Sequence, residues 1–291
     1  MTDTQELYTT YKPLLFSLAY RMLGTVMDAE DMVQETFLSL QKVPKEKIVH
    51  TKAFLCKVLT NRCIDFLKAA RRQRETYVGP WLPEPLVFRT DHNGPMEQVI
   101  TRDKISIAYL KLMESLSPVE RAVFVLREVL DFGYKEIAEM TAKEEASCRK
   151  IFSRVKQKLD HELPDEKIDY EHHKQLLEAF LKALQTENTN SLLELLSADA
   201  VLYSDGGGRV RAAIQPIQSR EKVIAFLLGI AKKAPADTRI QLATVNGEPG
   251  IVTCTGDGPY SVLSLNLRDG RIDSVYIIVN PDKLQRLPYQ Y

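Results

Sequence analysis

A chain of 291 residues suggests two or three domains, and its 44% hydrophobic content is enough for each to bury a core. Lys+Arg and Asp+Glu each number 39, so the formal net charge of zero excludes a general attraction to polyanions. Any nucleic-acid contact must come from local segregation of charge.

From Leu7 to about Thr76 the pattern is helical. Leu14, Leu15, Leu18, Ala19 and Met22 form one apolar stripe that stops at Gly24; Met32, Val33, Phe37 and Leu40 form a second; Phe54, Leu55, Val58, Leu59, Ile64 and Leu67 form a third. Pro80, Pro83, Pro85, Gly94 and Pro95 then end any helix and mark a linker. Within it Trp81-Leu-Pro-Glu-Pro85 carries the only Trp, which either docks on a neighbouring domain or stands as an incidental aromatic. Ser117 sits at a cap position with Pro118 first in the helix it opens, followed by Val119, Ala122, Val123, Val125 and Leu126.

Phe132 to Leu159 reads as two short helices joined by a tight turn. In the second helix Cys148, Phe152, Val155 and Leu159 fall at spacings of four, three and four and face a core, which leaves Arg149, Lys150, Ser153 and Arg154 outward. That basic face suits phosphates, with a few side chains left for base edges; a plain solvated face is the alternative. After Leu163-Pro164 the texture changes. A helix over about Lys167 to Gln185 precedes short alternating runs at 200–203, 210–214, 240–245, 251–254, 260–267 and 272–279, with a helix at Arg220 to Ala231 and turn signals at Asn246-Gly247 and Asp269-Gly270. An α+β domain follows, a curved antiparallel sheet with helices on one face.

Cys56, Cys63, Cys148 and Cys254 are scattered, without a Cys-x-x-Cys pair or a His at ligand spacing, so buried thiols in a reduced cytoplasmic protein are expected, with no metal and no cofactor. Lys12 and Arg21 interrupt the apolar stretch near the N-terminus, and neither a signal peptide nor a membrane span is expected.

Two segments resemble the bacterial sigma-70 superfamily. Asp28-Ala-Glu-Asp-Met-Val-Gln-Glu-Thr-Phe-Leu38 is similar to its core-polymerase-binding helix, and Thr60-Asn-Arg-Cys-Ile-Asp65 with Lys68, Arg71, Arg72 and Arg74 to its promoter-melting helix. Paired with a helix-turn-helix, they make the chain resemble an extracytoplasmic-function (ECF) sigma factor over about Tyr8 to Leu159. At the turn this chain has Ala142-Lys143-Glu144 where relatives often have Gly-Ile-Ser. Trp81-Leu-Pro-Glu-Pro85, Asp205-Gly-Gly-Gly-Arg209 and Asn280-Pro-Asp-Lys-Leu284 resemble the subgroup with a fused C-terminal SnoaL-like cone.

The resemblance implies a multidomain fold: sigma domain 2 over 1–78, a Pro-rich linker over 79–96, sigma domain 4 over 97–163, and a SnoaL-like α+β regulatory domain over 167–291. It implies core RNA polymerase (β′ clamp and β flap) and promoter DNA as partners, with the fused domain acting in place of a separate anti-sigma factor. The β′ clamp would meet Asp28, Glu30, Asp31, Gln34, Glu35 and Phe37, although Phe37 is equally a core residue. Lys57, Asn61, Arg62, Lys68, Arg71 and Arg72 would hold the −10 strand, Asn61 being the best reader of a base edge. Arg149, Lys150, Ser153 and Arg154 would meet the −35 element.

The interdomain regulatory candidates are Trp81, Leu82 and Pro83; Asp205, Gly206, Gly207, Gly208 and Arg209; and Asn280, Pro281, Asp282, Lys283 and Leu284. From the residues alone, 205–209 reads first as a flexible hairpin loop, and 280–284 as a plain terminus or a docking tail. The alternative function is a ligand-sensing or enzymatic cone, with Asp199, Asp205, Tyr203 and Tyr276 as the available groups.

Overall fold

The computed structural model describes residues 2–44, 48–74, 76–88, 105–160 and 169–287, without the side chains of 2–4, 71–74 and 160. The chain divides into two compact units, Met1–Thr76 with Asn93–Asp103 and Tyr109–Leu163, and Tyr77–His92 with Lys104–Ala108 and Pro164–Tyr291. The domain limits expected at 96/97 and 163/167 lie outside the described residues.

The first unit is helical. Helices α1 (Thr2–Leu23), α2 (Val26–Leu40) and α3 (Thr51–Arg74) pack on one another. Leu15, Leu18, Ala19, Met22, Val33, Leu55, Leu59 and Leu67 are buried, as their helical spacing requires. Gly24 ends α1 in the left-handed region (φ 73°) and donates its N–H to Tyr20 O at 2.8 Å. Helices α4 (Ile107–Met113), α5 (Pro118–Glu128), α6 (Tyr134–Thr141) and α7 (Glu145–Asp160) follow. Ser117 and Glu120 form a reciprocal capping box at the start of α5, with Pro118 in the first turn. Arg121 of α5 is buried and donates to Met22 O at the end of α1, so the two halves of this unit are in contact. Between α6 and α7, Ala142 takes the left-handed conformation (φ 52°), which costs a residue with a Cβ about 1–2 kcal/mol.

The second unit holds α8 (Tyr170–Gln185), α9 (Thr189–Leu195), β2 (Leu196–Asp205), β3 (Ile217–Gln218), α10 (Arg220–Ala231), β4 (Arg239–Val245), β5 (Glu248–Thr255), β6 (Gly258–Arg268), β7 (Arg271–Ile278) and α11 (Pro281–Leu284). A seventh strand, β1 (Val87–Phe88), comes from the Pro-rich stretch. The sheet order is β1-β4-β5-β6-β7-β2-β3, antiparallel throughout except β2 with β7.

Period-two alternation splits each central strand between two apolar clusters. Leu202, Ile251, Leu265, Val275 and Ile277 pack with Leu177 and Phe180 of α8, Leu192 of α9, and Val223 and Leu227 of α10. Val252, Val262, Tyr276 and Ile278 face the other way, onto Leu82, Ile107 and Leu284. Asn246-Gly247 and Asp269-Gly270 both take two positive φ angles, the conformation of tight hairpin turns.

The strand expected at 210–214 is not formed. Arg209 N and Val210 N both turn back to Gly206 O, while Val210 and Ile214 are 43% and 71% exposed, so their apolar character buries nothing. The pairing with β2 is made instead by Ile217–Gln218.

Candidate functional site

Helix α2 exposes Asp31, Gln34 and Glu35, whereas Asp28 and Glu30 are half-buried. Asp28 accepts from Thr25 Oγ1 in the first turn and is therefore partly occupied in starting its own helix. Phe37 is a core residue: it is 5% exposed and its ring lies 4.9 Å from that of Tyr8, so it offers no surface to a partner. The exposed apolar groups are Met27 (45%) and Leu38 (56%), which sequence reading passed over. Positions 27, 31, 34 and 38 share one stripe at helical spacing, the signal that would have found them.

On α3, Lys57, Asn61 and Lys68 are exposed, and Lys68 pairs with Asp65 at 3.1 Å. Arg62 does not stand free with them. It pairs with Glu35 of α2 and donates to Ser39 Oγ at 2.8 Å, so two residues expected to serve different partners hold each other. Both are more than a third exposed, so the pair is worth no more than about 1 kcal/mol and opens readily for a partner. The side chains of Arg71 and Arg72 lie outside the described residues.

The helix-turn-helix is formed by α6 and α7. Cys148, Val155 and Leu159 are buried and Arg149, Lys150, Ser153 and Arg154 are exposed, as the spacing requires. Arg154 pairs with Glu120 at 2.6 Å and Arg149 with Glu145 at 2.5 Å.

The second unit gathers the remaining candidates around one carboxylate. Asp205, fully buried at the end of β2, accepts from Tyr77 Oη at 2.6 Å, Leu82 N at 2.8 Å, Gly207 N at 3.0 Å and Lys283 Nζ at 2.7 Å. Lys283 also donates to Leu82 O, and its ammonium lies 4.2 Å from the Trp81 ring centroid and 5.4 Å from that of Tyr77. Asn280 caps α11 by accepting from Asp282 N at 3.0 Å and donates to Tyr77 Oη at 3.0 Å. Arg209 pairs with Asp282 at 3.2 Å. Leu82 and Leu284 share one apolar cluster, Pro83 is buried, and Trp81 is half-buried.

The glycines fit because nothing else would. Gly207 (φ 59°) has no room for a Cβ against Asn280, a Cβ on Gly206 would lie 2.8 Å from that of Ala212, and Gly208 (φ 69°) lies against Val78. Burial, and the hydrogen bond to Asp205, push the Tyr77 phenol far above its ordinary range, so it stays a donor.

Two residues of this region were missed. Tyr77 carries no motif of its own. Asn246 was read only as a turn, yet its Oδ1 accepts from Leu86 N at 3.0 Å and its Nδ2 donates to Ile105 O at 2.9 Å, so one buried side chain holds both ends of the connection 86–105. Of the groups considered for a small-molecule site, Asp205 is committed to four donors and Tyr203 stacks on Tyr276 at 5.5 Å, on the face that carries the Leu82 cluster. Asp199 is exposed. Neither of these two aspartates is a free desolvated carboxylate.

Residues 7–73 match Sigma-70 region 2 and residues 106–159 match Sigma-70, region 4. The chain is 31% identical to the ECF RNA polymerase sigma factor SigJ of Mycobacterium tuberculosis, over 94% of this chain and 91% of that protein. It is 26% identical to the probable ECF RNA polymerase sigma factor SigI of the same organism, over 96% and 94%. The crystal structure of M. tuberculosis SigJ superposes with a TM-score of 0.81 at 29% identity, covering 98% of this chain and 99% of that one. Helices α2 and α3 thus fall in region 2 and the helix-turn-helix in region 4, and the chain belongs to the ECF RNA polymerase sigma factors, which bind core polymerase and direct promoter-specific transcription initiation.

Proposed function

We propose that the C-terminal domain tunes this sigma factor by gripping the linker between its two promoter-binding domains, which extend over about 1–78 and 97–163. The observation that carries the reading is the convergence of four donors on buried Asp205, one of them, Leu82, from the linker itself and another, Tyr77, from the residues that lead into it. Asn246 adds a second hold at Leu86 and Ile105. Elements named −10 and −35 are about 25 base pairs apart, roughly 85 Å at 3.4 Å per pair. With the Asn246 hold closed, residues 87–104 add almost nothing to the reach of the linker; paid out, they add up to about 60 Å at 3.3 Å per residue. A domain joined covalently acts at high effective concentration, so it fills this role without a separate anti-sigma factor.

Under the same reading, Asp31, Gln34, Glu35 and Leu38 of α2 meet a basic surface of the core enzyme, with Asp28 and Glu30 adding charge. Lys57, Asn61, Arg62, Lys68, Arg71 and Arg72 hold the −10 strand. Arg149, Lys150, Ser153 and Arg154 meet the −35 element. Arg62 takes up its role only when Glu35 releases it, which couples polymerase binding to strand capture. Run-off transcription with core polymerase tests the whole: the full chain and a chain ending after Leu163 should start at the same promoters with different yield. Equal yield removes the regulatory role, and absence of specific starts removes the site assignments.

A further inference from the structure

We infer that Tyr134 is a positioning residue for Arg149, holding its guanidinium so that α7 meets DNA with the fork already oriented. The inference rests on reading α7 as the −35 helix. Tyr134 opens α6, and its ring stands edge-on to Phe152, 6.1 Å between centroids at 70°. Phe152 in turn stacks on Phe124 of α5 at 6.0 Å, so the ring is anchored in the core of the helix-turn-helix.

Two cations lie against that ring: Arg149 Cζ is 4.5 Å from its centroid and Arg127 Cζ 5.1 Å. Glu145 takes Arg149 Nη2 at 2.5 Å from one turn earlier on α7. Arg127 is itself tied to Phe132 O at 3.0 Å. The side chain of Arg149 is 59% exposed, yet it is held by a π-face and by a carboxylate.

Bidentate recognition of a guanine edge needs a planar fork at a set angle. Immobilising a rotamer-rich side chain on binding weakens association by roughly two- to tenfold, and here that loss is met before DNA arrives. Lys150 and Arg154 lack this support: Arg154 is drawn aside to Glu120 of α5. Tyr134 therefore sharpens base preference rather than adding affinity of its own.

The test uses holoenzyme reconstituted from core RNA polymerase and the full chain. The probe is a promoter duplex selected from a random pool by the wild-type holoenzyme, and the readout is the ratio of its Kd to that of the same duplex with a scrambled −35 element. Tyr134→Ala should narrow this discrimination by about two- to tenfold with the salt slope unchanged, because no phosphate contact is lost. Tyr134→Phe, which keeps the ring, should hold the wild-type ratio. Arg149→Ala should narrow it at least about fivefold, and Tyr134→Ala should add nothing in that background.

An Arg149→Ala ratio equal to wild type overturns the assignment of Arg149 to the −35 element. A narrowed Arg149→Ala ratio with an unchanged Tyr134→Ala ratio, or equal losses from Tyr134→Ala in both backgrounds, overturns the positioning role alone. If Tyr134→Ala does not fold, Tyr134→Leu keeps apolar packing on Phe152 without the π-face. A folded Tyr134→Leu with wild-type discrimination overturns the inference as well.

Discussion

Replacing Asp205 by Asn keeps the shape of the side chain and removes its charge. Lys283, 9% exposed, is then left with a buried ammonium whose named partners are Leu82 O and two ring faces. The amide group of the new side chain also turns a donor toward a pocket that already holds four. Removing one partner of a buried ion pair costs about 3–5 kcal/mol, and the separate hydrogen bonds are not additive on top of it. Set against a domain stability of about 5–15 kcal/mol, that loosens the linker while leaving most molecules folded.

Trp81 is the only Trp in the chain and lies against Lys283, so its fluorescence reports this region alone. Urea unfolding followed at Trp81 should show Asp205→Asn destabilised by at least about 3 kcal/mol, with red-shifted emission in the folded baseline. Asp205→Asn with Lys283→Met should recover part of the loss, because the buried ammonium that has lost the Asp205 charge is removed with it. Wild-type emission together with a loss below about 0.5 kcal/mol, or strictly additive single effects, would refute the reasoning.

Asn246→Gly keeps the left-handed backbone (φ 54°) and the backbone bond from residue 246 N to Leu86 O, but drops the side-chain bonds to Leu86 N and Ile105 O; a loss of about 2–4 kcal/mol in thermal melts is expected, and a wild-type Tm would remove the side-chain hold. Ala142→Gly should stabilise the chain by about 1 kcal/mol by relieving the positive φ, and a destabilised variant would contradict the strain at that turn.

His173 is buried at the face of α8 and its Nε2 has no hydrogen-bond partner among the described residues; burial holds its pKa down at about 4. The unfolded chain takes up a proton near pH 6.5 and the folded one only near pH 4, so stability is full above about 6.5 and falls between 6.5 and 4 by of the order of 3 kcal/mol. His173→Leu should flatten that part of the pH–stability curve, and an unchanged slope would remove the assignment. Asp31→Lys should weaken capture of core polymerase in a pull-down while circular dichroism stays helical; unchanged capture would take Asp31 out of the interface.

Helical periodicity made α1, α2, α3 and the helix-turn-helix legible, because each buries one stripe and the capping residues Ser117 and Gly24 punctuate them. Asn246-Gly247 and Asp269-Gly270 were legible for the same kind of reason, since few sequences tolerate two positive φ angles. Phe37 and Leu38 show the limit: on a helix one residue is about 100°, enough to exchange core for surface, and both are apolar. The Pro-rich stretch was read as a linker because proline ends helices, yet proline also suits an extended edge, and this stretch lends β1 to the sheet. The hold of Asn246 on Leu86 and Ile105 joins backbone groups more than 140 positions away, which no local pattern encodes.

The most direct test of the regulatory reading is run-off transcription by core polymerase with the full chain, wild type against Asp205→Asn, on one promoter at saturating sigma factor. Release of the linker should change the yield of transcript while the start site stays the same. Identical yields, from a variant whose Trp81 emission shows that the linker has come free, would contradict it.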